Sequence, residues 1–366
     1  MKTKIDRLQY FFTIPNILFG KAIGITAGVI VRRIGADTWS SMLIGFIFGT
    51  IMVIIMTYVS SKFPDKTIIQ YSQDILGKFF GKFIGLILAI FFTVAFMVSA
   101  NVITLHLSEY FLPQTPFLIL CAIYVLLCSY GVVLGVEVIV RFSFFGFILA
   151  ALLNLTMISG TVRDFHLVNL RPLLDKGIIA NIYNSIYLFT DIAMVIFVTG
   201  VIYPMLNEKK RSISISFWAM VVSTIMIIIW PISEIGVMGA DVMKQFAVVC
   251  MQQVRSAQLS IYFPRYELIM VVFFVWAMFV QSALMLFCSM YSFKQVMNIK
   301  KDWKIFFPLI VITITGTYYI GRDHNEYIQF LTFPWGQICL VLSIGIPLML
   351  LLIGVLRKKF ESRKLI

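Results

Sequence analysis

The chain reads as an all-α integral membrane protein with ten transmembrane helices, and three observations predict it. Apolar residues make up 60% of the 366 residues and charged residues only 13%, with a mean hydropathy of +0.95. A soluble domain carries about 45–50% apolar and about 25% charged residues. Apolar runs of about 20 residues recur along the chain, the length that crosses a hydrocarbon layer of about 30 Å. Lysine and arginine gather at alternate ends of those runs, as in proteins oriented by positive charge on the inner side.

The expected spans cover approximately 10–31, 40–61, 83–108, 116–136, 142–162, 178–203, 213–233, 266–292, 305–320 and 334–356. Together they make one membrane domain, 1–366, with no soluble domain at either end. The N-terminal MKTKIDRLQY is polar and basic and lacks a cleavage pattern, so the first span is expected to be retained. The eighth span is long enough to tilt or project. The ninth is short and starts at a proline-containing edge, IFFPLIVITITGTYY.

Two connections have content of their own. In residues 63–82, Pro64 stops the preceding helix, and a new helix can restart after it. Ile68, Ile69, Ile75, Leu76 and Phe79 form its apolar stripe, with Lys66, Asp74 and Lys78 elsewhere. This pattern predicts a helix lying on the inner membrane surface. In residues 237–258, Met243, Phe246, Ala247, Cys250 and Val254 recur at helical spacing opposite Asp241, Lys244 and Gln252. That stretch is too charged to span, and an amphipathic helix on the outer surface is expected.

With the N-terminus placed in the cytoplasm, the expected inner segments hold roughly twice as many of the 30 Lys and Arg as the outer ones. Both termini are therefore expected to be cytoplasmic. The net charge of +13 follows from this topology and from attraction to anionic lipid. Nucleic-acid binding is disfavoured, because no basic stretch outside the membrane is interleaved with aromatics.

Four of the five cysteines, Cys121, Cys128, Cys288 and Cys339, fall in spans and Cys250 outside them, with no C-x-x-C pair. They read as small apolar residues. His106, His166 and His324 lie near span ends or in outer loops, without metal-ligand spacing. No Walker loop, zinc motif or nucleophile–base pair is present, so no cofactor is expected and an enzyme is disfavoured.

The candidate chemistry begins in NILFGKAIG, residues 16–24. Lys21 lies about 16 Å along span 1 from Tyr10 at 1.5 Å per residue, about half the hydrocarbon thickness. A central lysine costs about 2.5–3.5 kcal/mol to insert. A carboxylate, backbone carbonyls or water must compensate it. Gly20 and Gly24 permit a break in the helix, and Pro15 removes a donor upstream. A break exposes amide N–H groups that suit a ligand carboxylate. The alternative is a Gly-xxx-Gly packing face, with Lys21 reaching a water-filled crevice.

The matching counter-charge is Asp191 in YLFTDIAMVIF of span 6, about 20 Å from Ile178 and about 10 Å from the inner side. A Lys21–Asp191 pair, direct or bridged by ligand, is consistent with these depths. The two also have a purely neutralising reading. Ser99 and Asn101 in span 3, Asn154 in span 5, Asn184 and Thr190 in span 6, and Gln281 and Ser282 in span 8 are the other polar residues inside spans. Singly, such residues serve as interhelical hydrogen bonds. Glu109, Glu234 and Glu267 lie near outer span ends and read as hydrated loop or vestibule charges. The candidate ligand set is Gly20, Lys21, Ala22, Gly24, Asn101, Thr190, Asp191, Gln281 and Ser282. Ten spans also suggest two inverted halves of five, in which spans 1 and 6 are equivalent and both broken near the midplane.

The chain resembles the B subunits of GerA-type nutrient germinant receptors of endospore-forming bacteria, a branch of the amino acid–polyamine–organocation transporter superfamily. The likeness covers nearly the whole chain. It rests on NILFGKAIG, ILGKFFGKFIGL, NLRPLLDKG, YPMLNEKKR and PRYELIMVVFFVW, in this order. The resemblance implies a LeuT-like five-plus-five inverted repeat with broken helices 1 and 6, and a ligand pocket between spans 1, 3, 6 and 8. It implies sensing of small nutrients, often amino acids, in the inner spore membrane, with a membrane-spanning A subunit and a lipid-anchored C subunit as partners. Gly20 matches the first glycine of the family's broken span 1, while Lys21 and Ala22 stand where relatives often have small residues. The glutamate that many relatives carry in the inner half of span 6 is missing from VIFVTGVIYP, and Ser282 falls near a hydroxyl-bearing position of span 8. The alternative function is a proton- or sodium-coupled amino acid or cation transporter.

Overall fold

The computed structural model describes residues 5–246, 248–256 and 267–360. All ten expected spans are present among these residues. Span 1 comprises Arg7–Lys21, a π-helical turn Ala22–Thr26 and Ala27–Ile34. A single tight turn, Gly35–Asp37, joins it to span 2, Thr38–Lys62. Spans 3, 4 and 5 are Lys78–Tyr110, Phe117–Leu134 and Val136–Thr161. Span 6 comprises Gly177–Asn184, a 3₁₀ turn Ser185–Leu188 and Phe189–Ile202. Spans 7 to 10 are Ser212–Met238, Glu267–Met297, Trp303–Gly321 and Gly336–Leu356.

Spans 1 and 6 form the centre. Span 1 packs on spans 5, 6, 7 and 8, and span 6 on spans 2 and 10. Every residue of Phe189–Ile202 is buried, and that stretch is apolar on nearly all sides. A helix of this kind is covered on all faces by protein. The outer spans instead turn residues such as Val133 and Val341 to the lipid, which costs nothing in hydrocarbon.

Both central helices are interrupted as the inverted-repeat reading expects, but by irregular helical turns, a wide π turn in span 1 and a tight 3₁₀ turn in span 6, rather than by extended peptide. Lys21 and Ala22 keep right-handed helical angles, and Pro15 sits inside the helix without ending it. Where a sharp reversal is needed, glycine supplies it. Gly135 links spans 4 and 5 at a φ of 98°, which side chains rarely adopt.

The two connections depart from expectation. Ile68–Leu76 is helical, but Ile68, Ile69, Tyr71, Ser72 and Ile75 are buried against spans 3, 6, 8 and 10 rather than facing lipid. Phe79 does not belong to its stripe. Gly77 at a φ of 97° starts span 3 afresh and leaves Phe79 80% exposed. The outer stretch is two short helices, Ala240–Met243 and Val249–Ser256, not one. Val249–Ser256 packs inward on spans 5, 7 and 8 and on the π turn of span 1, so it is a plug and not a surface helix. Ala247, the segment preceding span 8 with Arg265, and the Glu267 side chain lie outside the described residues.

Candidate ligand site

The π turn creates the site. In an α-helix, residues five apart point to different faces, because 3.6 residues complete a turn. The wider i→i+5 turn brings Thr26 back over Lys21. The Lys21 ammonium lies 3.0 Å from the Thr26 hydroxyl, 2.6 Å from the Thr190 hydroxyl and 3.1 Å from Asp191 Oδ2. It can donate three hydrogen bonds, and all three find acceptors. Asp191 Oδ1 is also 3.0 Å away, held by charge without hydrogen-bond geometry. The Thr26 hydroxyl donates to Asp191 Oδ2 at 2.8 Å, and the Thr190 hydroxyl donates to the Tyr187 carbonyl at 2.8 Å.

Lys21 is 1% exposed and Asp191 is fully buried. A buried pair gains attraction but gives up hydration, and it is tolerated only when the remaining valences are hydrogen-bonded. Thr26 and Thr190 supply that satisfaction. A void of about 10 Å³ remains beside Lys21, Thr26, Thr190, Tyr187 and Leu331, room for about one water. The site is closed around its own lysine.

The surroundings are closed on both sides. At the N-terminal end of span 1, Ile5 runs beside the end of span 6, donating to Met205 O at 2.8 Å and accepting from Asn207 N at 2.9 Å. Arg7 and Glu208 pair at 3.0 Å, and the Tyr10 hydroxyl bonds Ser216 at 2.8 Å. At the opposite end, Arg32 donates to Phe246 O at 2.7 Å and Arg255 stacks over Tyr110 at 4.8 Å, fixing the plug.

The other candidates divide. Gly20 is a contact surface, since a Cβ there would stand 2.2 Å from Met278 Sδ and 3.3 Å from Gln281 Oε1 of span 8. Gln281 is buried beneath the pair, its amide 3.4 Å from Met194 Sδ and its oxygen unpartnered. Ser99 reaches the same Met194 sulfur at 3.9 Å. Ala22 is buried in the π turn. Gly24 faces outward, toward Cys250 and His106.

Asn101 and Ser282 are not brought to the pair. Asn101 points to span 9, where a Cβ on Gly321 would stand 1.8 Å from its Oδ1, and Ser282 accepts from the Tyr124 hydroxyl of span 4 at 3.0 Å. Asn154 ties span 5 to span 7 through Met226 O and the Trp230 indole. Glu234 is fully buried, so it is not a hydrated vestibule charge. Thr26, which hydrogen-bonds both Lys21 and Asp191, is the site residue that the sequence did not single out. Its spacing from Lys21 signals nothing unless the turn is π-helical.

The family model for spore germination proteins matches residues 4–324. Among curated proteins, spore germination protein KB of Bacillus subtilis (strain 168) is 24% identical, the alignment covering 99% of this chain and 97% of that protein. Spore germination protein YndE of the same organism is 22% identical, covering 89% of each. Among solved structures, MhsT in complex with L-phenylalanine superposes with a TM-score of 0.64 at 12% identity, covering 97% of this chain and 99% of that one. A mutant of the Eremococcus coleocola manganese transporter follows with a TM-score of 0.56 at 10% identity, covering 94% and 78%. The likeness to these two transporters establishes the LeuT-type fold. With ten membrane helices in that fold and a family match over residues 4–324, the chain is an integral membrane protein of the spore germination protein family.

Proposed function

We propose that this chain is the nutrient-sensing membrane subunit of a spore germination receptor, built on a transporter scaffold, with an amino acid as its ligand. The observation that carries this reading is the fully buried Lys21–Asp191 pair, hydrogen-bonded by Thr26 and Thr190 at the interruption of span 1. Such a pair is a self-satisfied copy of what a zwitterion offers. A ligand carboxylate would take the place of Asp191 at the ammonium, and a ligand amine would take the place of Lys21 at the carboxylate. The void of about 10 Å³ is far below the roughly 300 Å³ of a small ligand pocket, so binding requires the plug or the inner seal to open. Ligand then shifts the equilibrium between conformers by its differential affinity for them.

The names of KB and YndE support the germination role, and the bound L-phenylalanine of MhsT supports the ligand class on this fold. The signal would pass to membrane-spanning A and lipid-anchored C subunits in the inner spore membrane. Both termini are cytoplasmic in this reading, and the basic inner segments rest on anionic lipid.

A second reading is a secondary transporter, favoured by the two transporter neighbours of the fold. The built-in ammonium then replaces a coupling sodium ion, and Asp191 carries a proton. One experiment separates the two. Labelled amino acid flux is measured in vesicles holding this chain, beside germination of spores lacking it. Loss of response to one nutrient without concentrative uptake supports the receptor. Concentrative uptake by the chain alone supports the transporter.

A further inference from the structure

A cavity of about 530 Å³ opens between the starts of spans 1 and 7, apart from the Lys21–Asp191 pair. Its lining has two layers, and both helices contribute to each. At the mouth stand Asp6 and Arg7 at the start of span 1, with Glu208 and Arg211 just before span 7. Below the mouth each helix presents an apolar pair three residues apart, Leu8 with Phe11 and Ile215 with Trp218. Residues at that spacing share a helix face. Trp218 lies about 10 Å along the helix from Arg211 at 1.5 Å per residue. Charge is therefore confined to the mouth and apolar surface to the walls.

The charges at the mouth do not all meet partners. Arg7 and Glu208 hold each other at 3.0 Å. Asp6 caps span 1 in a capping box with Gln9, whose Oε1 accepts the Asp6 N–H at 2.9 Å, so its carboxylate answers the positive end of that helix. Arg211 is exposed, and its guanidinium has no partner among the described residues. It is the N-cap of span 7, whose first turn carries no acidic residue, so the helix dipole adds to its positive potential. The mouth lacks one anion.

The walls lack a different partner. Phe11 and Ile215 pack on the core as a floor, while Leu8 and Trp218 stay exposed. Tryptophan at a span end sits where headgroups meet acyl chains. A free inorganic anion would satisfy the mouth alone, and an apolar helix the walls alone. A lipid with a negative headgroup satisfies both. We propose that the groove between the starts of spans 1 and 7 binds an anionic phospholipid, its phosphodiester on Arg211 and an acyl chain along Phe11, Ile215 and Trp218. The planar guanidinium fork matches two phosphate oxygens at once. The bound lipid bridges spans 1 and 7 beside the Arg7–Glu208 pair and the Tyr10–Ser216 hydrogen bond, adding to the contacts that join the two helices at this end. This is one defined site, beyond a general attraction of basic segments to lipid, and it does not depend on the nutrient-sensing reading.

Trp218 reports on the groove. Full-length protein and its Trp218→Phe variant are reconstituted in phosphatidylcholine vesicles holding a minor fraction of dibrominated phosphatidylglycerol or, as control, dibrominated phosphatidylcholine. Bromine quenches only the tryptophans it touches, and the difference between the two proteins isolates the Trp218 signal. The expected result is an apparent preference of about fivefold for phosphatidylglycerol, the factor that one arginine supplies at an anionic surface. Arg211→Gln should bring that preference to about one, whereas Lys301→Gln, at an exposed lysine between spans 8 and 9, should leave it unchanged. Equal quenching by the two lipids in the unaltered protein would overturn the proposal, as would a preference that survives Arg211→Gln or that falls equally in Lys301→Gln. Sodium phosphate replacing sodium chloride at equal ionic strength should not alter the preference. Its loss in phosphate would mean a site for the free anion and would overturn the lipid assignment.

Discussion

Two acids are buried equally deeply in this protein and treated in opposite ways. Asp191 meets an ammonium and the hydroxyl of Thr26, while Glu234 meets no hydrogen-bond donor among the described residues. Equal depth therefore goes with unequal surroundings, and the surroundings set what removing each acid should cost. The Lys21–Asp191 pair has its ammonium and Asp191 Oδ2 hydrogen-bonded, with Oδ1 held by charge alone, and it ties the two interrupted spans together without ligand.

The contrast can be broken at the inner pair first. Lys21→Ala strands the Asp191 carboxylate, and stranding one member of a buried pair costs about 3–5 kcal/mol. We expect a large drop in thermal stability of the protein in detergent, with the chain still inserted in the membrane. Loss of the nutrient response in spores should accompany it. A normal dose–response in that variant would falsify the site assignment. The Lys21→Met/Asp191→Leu double variant sharpens the point. It should recover most of the stability without recovering the response, because apolar residues of similar volume replace buried pairs at little cost.

Gly20→Ala comes next. Its Cβ would press on Met278 Sδ, and overpacking of this kind costs about 1–3 kcal/mol. Gly24→Ala, with only ordinary contacts, should stay within about 0.5 kcal/mol. Equal melting temperatures for the two variants would contradict the packing described here.

Thr26→Val removes the hydroxyl that bridges Lys21 and Asp191, and a hydrogen bond to a charged group is worth about 1.5–3 kcal/mol. Chemical denaturation should show this loss, and Thr26→Ser should restore it. Glu234→Gln should show the smallest effect, below about 1 kcal/mol, because no hydrogen bond is broken. A loss as large as that of Lys21→Ala would mean that Glu234 has a counter-charge after all, and the two regions would no longer differ.

The membrane class, the ten spans and the depth match of Lys21 with Asp191 were legible in the sequence. Each depends on local length, composition and rise per residue. The apolar stripe of Ile68, Ile69 and Ile75 was legible too, but not whether protein or lipid would cover it. Phe79 was misassigned because Gly77 breaks the helical phase between them. Glu234 was misread because a position near a span end implies hydration only if nothing folds over it. Here Val249–Ser256 packs on span 7, and the charges that suggested a surface helix, Asp241 and Lys244, belong to the segment before it.

By itself, then, the sequence placed a lysine and an aspartate at matching depth in two spans, which allowed a pair, direct or bridged by ligand, since hydrocarbon leaves a buried charge few alternatives. Only the tertiary structure decided which hydroxyls complete that pair, that Asn101 and Ser282 turn toward other helices, and that Glu234 is buried without a hydrogen-bond donor among the described residues. Those outcomes depend on helix rotation and on a π turn a few residues long. Rotating a helix by a third of a turn changes no sequence pattern, yet it exchanges every neighbour a side chain has.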